Sequence, residues 1–102
     1  MQVKFTENII EFLDDLDDET LAKIQRRIDL LREYGHMLRM PYSKPIGNSV
    51  FELRVEDRGN TRLVYVFMGG VAVIFHAFIK KTDRISKKDM NTIFIRLKGL
   101  QL

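Results

Sequence analysis

Four cations stand at matching places on what read as neighbouring strands. Arg54 closes the run Phe51-Glu52-Leu53-Arg54, Arg62 opens Arg62-Leu63-Val64-Tyr65, and Lys80 and Lys81 close His76-Ala77-Phe78-Ile79-Lys80-Lys81. A small sheet does not need cations to fold, and like charges on adjacent strands repel unless an anion sits among them. Arginine presents a planar donor fork that suits phosphate oxygens, so a phosphate backbone is the anion to expect. Cations fixed around one phosphate also stabilise the extra negative charge of a pentavalent transition state.

The elements that must position these residues follow from periodicity. Residues 1 to 5 alternate, with Val3 and Phe5 on one side, as in a short strand. Thr6 is placed to cap a helix with apolar positions Ile9, Phe12, Leu13 and Leu16. Asp17-Asp18 breaks that helix and caps the next, in which Leu21, Ile24, Ile28 and Leu31 recur at helical spacing. Gly35 ends it. Residues 36 to 49 hold Pro41, Pro45, Gly47 and Asn48 and read as a connection. Phe51, Leu53 and Val55 then alternate with Glu52, Arg54 and Glu56, the period of a half-buried strand. Asp57-Arg58-Gly59-Asn60 supplies turn chemistry, and Gly69-Gly70 joins strand Leu63 to Met68 with the continuously apolar strand Val71 to Ile79. Ser86 is placed to cap a last helix, with Asp89 three residues on. The expected fold is α+β: an N-terminal strand, a helical hairpin and a C-terminal helix on one face of an antiparallel sheet, with a single core.

With strands paired through tight turns, the end of the third of these strands lies near the start of the second. That brings Arg62 to the lysines, with Arg54 beside them. Structural roles compete with this reading. Arg54 pairing with Glu52 or Glu56 in strand ladders is one, and Lys80-Lys81 protecting a sheet edge is another. His76, between Phe75 and Ala77, reads better as a hydrogen-bonded core histidine than as a general base. Tyr65 reads as a core or strand-face aromatic. Arg62 and Lys81, at strand ends, are expected to be replaceable at little cost in stability.

Composition bounds the function. With 102 residues the chain is expected to form one domain spanning residues 1–102. At 45% hydrophobic and 30% charged it resembles an ordinary soluble protein, and no apolar run is long enough to span a membrane. The absence of cysteine excludes disulfides, thiol nucleophiles and Cys-based zinc sites. The two histidines lack carboxylates at ligand spacing, so no metal or other cofactor is expected. A cytoplasmic location fits. The net charge is only +3, but residues 7 to 19 carry seven acids and no base, whereas residues 80 to 98 carry seven bases and two acids. That asymmetry favours a polyanionic partner.

The run from Lys44 to Arg54, followed by Arg62-Leu63-Val64-Tyr65 and by His76 to Thr82, resembles RelE/ParE-superfamily toxins, and within them the phage-associated, HigB-like branch. The resemblance implies the toxin of a type II toxin–antitoxin pair, a ribosome-dependent mRNA endoribonuclease that uses no metal. In such enzymes the RNA 2′-hydroxyl attacks the adjacent phosphate and leaves a 2′,3′-cyclic phosphate. It implies Arg54, Arg62, Lys80 and Lys81 as catalytic residues. Arg58, in the turn between the first two of these strands, and Lys87 are further candidate RNA contacts by their charge. The implied partners are a helix-turn-helix antitoxin, mRNA on the ribosome, and operator DNA only through the antitoxin. The chain departs from the pattern in two places. No tyrosine occurs between Lys80 and Gly99, and Thr82-Asp83 and Ile85-Ser86 stand where the branch has Thr-Gln and Thr-Pro. The acid–base pair is therefore open, with His76, Glu52 or a lysine as candidates. A ParE-like inhibitor of DNA gyrase, or an inactive binding remnant, are the alternative functions.

Overall fold

The computed structural model describes residues 1–100. Strand β1 spans Gln2–Phe5, helix α1 Glu7–Asp14 and helix α2 Asp18–Tyr34. A short 3-10 turn, Gly35–Met37, follows. Strands β2 (Ser43–Gly47), β3 (Val50–Arg54), β4 (Thr61–Met68) and β5 (Val71–Ile79) complete the sheet, and helix α3 covers Lys87–Lys98.

Local chemistry sets the boundaries. The Asp17 carboxylate accepts a hydrogen bond from the Thr20 backbone N–H and caps α2. Hydrogen bonding from the Thr20 side chain, and then from its backbone N–H, lowers the Asp17 pKa from its ordinary value. Gly35 ends α2 at φ +51°, a conformation that strains any residue with a Cβ. Gly69 and Gly70 both take positive φ in the β4–β5 hairpin, the geometry a two-residue loop demands. Thr6 sits at the start of α1, but its hydroxyl donates to Asn8 Oδ1 instead of capping a backbone N–H. Asn8 in turn donates to the Phe75 carbonyl and fixes α1 to β5.

The sheet runs β1-β5-β4-β3-β2, with β1 parallel to β5 and the other pairs antiparallel. β5 is thus interior, which suits its unbroken apolar run. One strand departs from the sequence reading. Residues 43 to 47, expected to be part of a connection, pair with β3 as an edge strand. Pro45 fits there because an edge strand leaves one row of N–H groups unpaired, and a register shift lies between Pro45 and Gly47.

The expectation of helices on one sheet face is also corrected. α1 and α2 cover one face, where Ile9, Ile24, Ile28 and Leu31 pack with Leu53, Leu63, Tyr65 and Ile74. α3 covers the other, where Ile93 packs with Val50, Val64, Val73, Phe75 and Phe78. There are two core layers with the sheet between them, and Val64, Val73 and Phe75 belong to the second. The physical reason is that the central strands are apolar on both faces and need cover on both. A bulge between Val64 and Tyr65 of β4 pairs Val64 with His76 and Tyr65 with Ile74, so Phe75 is the extra residue of β5.

Candidate active site

The register places the cations. Arg54 lies directly opposite Arg62 across β3–β4, and Arg62 opposite Phe78 across β4–β5. The Lys80 N–H donates to the Asn60 carbonyl and extends the β5 pairing past its last residue. Two residues on from Phe78, Lys80 therefore returns to the face that carries Arg54 and Arg62. Two arginines in direct cross-strand register repel. Glu52, two residues before Arg54 on the same face, answers that repulsion.

Glu52 is 1% exposed, and three cations converge on its Oε1. Arg62 Nε approaches to 3.2 Å, Arg54 Nε to 3.8 Å and Lys80 Nζ to 3.8 Å. Arg62 is itself buried, and its Nη1 donates to the Thr61 carbonyl at 3.1 Å. Arg54 is held from behind, where its carbonyl accepts from Arg27 Nε at 3.0 Å. Arg54 and Arg62 thus stand within strands at one end of the sheet, and Lys80 and Lys81 directly follow β5. Of the two sequence readings of Arg54, the pairing with Glu52 is present. Arg54 also faces the open cleft.

That cleft has a volume of about 420 Å³ and is lined by Arg54, Asn60, Arg62, Lys80, Lys81, Thr82 and Asp83. Four cations meet two carboxylates, Glu52 buried against three of them and Asp83 in the lining, so the site keeps a net positive charge. Lys81 is exposed and has no ion-pair partner among the described residues. All four sequence-picked cations are brought together. Arg58 and Lys87 are not. Arg58 lines a separate concavity with Asp17, Glu19 and Lys23, and Lys87 is exposed on the first turn of α3. The expectation that Arg62 is a cheaply replaced surface residue fails, because Glu52 draws its guanidinium inward. Asn60, which reads as turn chemistry, and Thr82-Asp83, which depart from the family pattern, are not among the site residues expected from the sequence. Only their positions next to Arg62 and Lys81 could have marked them.

His76 is buried and does not line the cleft. Arg96 Nη1 lies 2.8 Å from its Nδ1, and Asp89 Oδ1 lies 3.2 Å from its Nε2. Arginine can only donate, so Nδ1 accepts and the proton sits on Nε2, where it is donated to Asp89. Asp89 Oδ2 accepts from Ser86 Oγ, which in turn caps the Asp89 N–H. His76 is thus a neutral clasp between β5 and α3, the core role read from its apolar neighbours. Burial foremost lowers its pKa, and the Arg96 charge adds to this against the Asp89 hydrogen bond. Tyr65 is also core. It stacks on Phe51 with ring centroids 5.4 Å apart, and its hydroxyl hydrogen-bonds Ser43 Oγ. Burial raises its pKa.

Comparison with known proteins bears on the family and the fold. The family model "Phage derived protein Gp49-like (DUF891)" matches residues 11–98. No curated protein matches the chain in sequence. Among solved structures, the fold is similar to a chain of the archaeal RelE–RelB complex from Pyrococcus horikoshii OT3, with a TM-score of 0.57 at 18% identity. The match covers 78% of this chain and 94% of that one. The resemblance to the RelE/ParE superfamily, drawn from the strand-end cations, agrees with both findings. The chain belongs to the phage-derived Gp49-like family and carries it on a RelE-like α+β fold.

Proposed function

We propose that this protein is the toxin of a type II toxin–antitoxin pair and cleaves mRNA on the ribosome. The observation that carries the reading is the convergence of Arg54, Arg62 and Lys80 on one buried carboxylate beside an open cleft that they line together with Lys81, which has no ion-pair partner among the described residues. The RNA 2′-hydroxyl loses its proton to water as its oxygen attacks the adjacent phosphorus, and the bond to the 5′-oxygen breaks as that oxygen takes up a proton from water. The products end in a 2′,3′-cyclic phosphate and a 5′-hydroxyl. The phosphorane carries more localised charge than the bound diester, so fixed cations bind it preferentially. Arg54 and Lys81 face the phosphate, while Glu52 holds Arg62 and Lys80 at their stations against mutual repulsion. His76 takes no proton from the RNA, because both its ring nitrogens are engaged outside the cleft.

The partners in this reading are mRNA and a helix-turn-helix antitoxin, through which operator DNA is reached, and its setting is the cytoplasm. The similar archaeal chain was crystallised as a complex of RelE with RelB, which supports an antitoxin partner here. The test is primer extension on mRNA in a translation reaction with and without ribosomes. Cuts that appear only with ribosomes, and end in cyclic phosphate, support the proposal. Intact mRNA overturns it, and loss of gyrase supercoiling in a parallel assay would then favour the ParE-like alternative.

A further inference from the structure

The exposed apolar side chains of the described residues are concentrated where α2 gives way to β2. Tyr34 is 50% exposed, Met37 77%, Met40 56% and Tyr42 38%. With Leu38 and Arg39 they line an open concavity of about 300 Å³. No acidic residue lines it. Arg39 is pinned on its wall by donating to the His36 and Leu38 carbonyls. The Arg27 guanidinium lies 4.8 Å from the Tyr42 ring centroid.

This concavity is joined to the cationic cleft. Arg54 Nη1 reaches Met40 Sδ at 3.5 Å, while Nε of the same side chain faces Glu52. The Arg54 N–H donates to the Tyr42 carbonyl at 2.8 Å, so Tyr42 and Arg54 lie on adjacent segments about 5 Å apart. One arginine therefore separates the phosphate-binding cleft from an aromatic and thioether-walled pocket.

We propose that this pocket takes an unstacked base of the single-stranded RNA whose phosphate occupies the cleft. The inference rests on the RNA reading of the cleft. A strand held by its phosphates alone can slide, because every phosphate is alike. A base seated on Tyr42 one step away fixes the register. Aromatic side chains beside arginines are the usual platform for unpaired bases. The charge pattern favours nucleic acid over a protein segment. Arg39 lines the apolar walls, Arg27 and Arg54 touch Tyr42 and Met40 from beside them, and no carboxylate is among the lining residues.

The test uses the full chain without ribosomes at low salt. The probe is a set of short single-stranded RNAs, each with one 2-aminopurine, a base whose fluorescence is quenched by stacking. The wild type should quench one position of the strand selectively. Tyr42→Phe should keep that quench. Tyr42→Ala should lose it and weaken binding by about fivefold to a hundredfold, the value of one stacked base. Met37→Asp, at a position too exposed to matter for folding, should weaken binding without moving the melting temperature. Lys81→Ala should weaken binding yet leave the quench at saturation intact. An unchanged quench in Tyr42→Ala, with binding still sensitive to Lys81, overturns the base pocket and leaves the RNA reading standing. No binding by the folded wild type overturns the base pocket, while the RNA reading of the cleft stands or falls by the ribosome assay above.

Discussion

Replacing Glu52 by glutamine tests whether the cation cluster is held by its internal counter-ion. The amide keeps the shape and removes the charge. At an effective dielectric near 20, Arg62 at 3.2 Å and Arg54 and Lys80 at 3.8 Å attract the carboxylate by about 5, 4 and 4 kcal/mol. Desolvation of Glu52 and repulsion among the three cations offset much of that sum. The loss on breaking such a buried cluster is about 3–5 kcal/mol. At about 4–8 °C per kcal/mol for a chain of this size, Glu52→Gln should melt at least 12 °C or so below wild type. Inorganic phosphate should raise the melting temperature of the variant more than that of wild type, because the variant has three cations without an anion. Differential scanning calorimetry with and without phosphate reads both effects. A melting temperature within about 4 °C of wild type, with no phosphate response, refutes the assignment of Glu52 as the counter-ion.

Two further outcomes follow from buried polar groups. His76 is neutral in the fold with its pKa lowered, so below the ordinary histidine value the unfolded chain binds more protons than the folded one. The stability it contributes is full above about pH 6.5 and falls as the pH drops through and below that value. Urea midpoints measured across this range should decline in wild type and decline less in His76→Gln. Tyr65→Phe removes the hydroxyl that satisfies buried Ser43, and should cost about 1–3 kcal/mol by urea titration. A loss well below 1 kcal/mol would mean that the Ser43 hydroxyl finds another partner.

The fold was legible where period and turn chemistry agreed. Asp17, Gly35, Gly69-Gly70 and Ser86 mark boundaries that the structure keeps, because each residue answers a local backbone need. Strand β2 was hidden by Pro45 and Gly47, which read as breakers. Edge pairing tolerates both, and that tolerance is a property of the neighbouring strand. The placement of α3 was hidden because an amphipathic stripe does not say which sheet face it meets. The apolar character of both faces of β4 and β5 was the available sign. At the site, strand register alone gathered Arg54, Arg62, Lys80 and Lys81. The inward turn of Arg62 was not legible, since it depends on Glu52 being buried between three cations. Arg58 and Lys87 were drawn in by charge alone, and charge does not fix direction.

The central claim is that the cleft cations stabilise a phosphorane. Arg62→Ala is a poor probe, because it leaves Glu52 buried without its nearest partner and unsettles the fold. Lys81 is exposed and unpaired among the described residues, so Lys81→Ala should leave the melting temperature unchanged. The most direct measurement is the single-turnover rate of mRNA cleavage on programmed ribosomes, wild type against Lys81→Ala. The predicted result is a rate lowered by about a hundredfold to a thousandfold with the protein still folded. A wild-type rate in the folded variant would contradict the account.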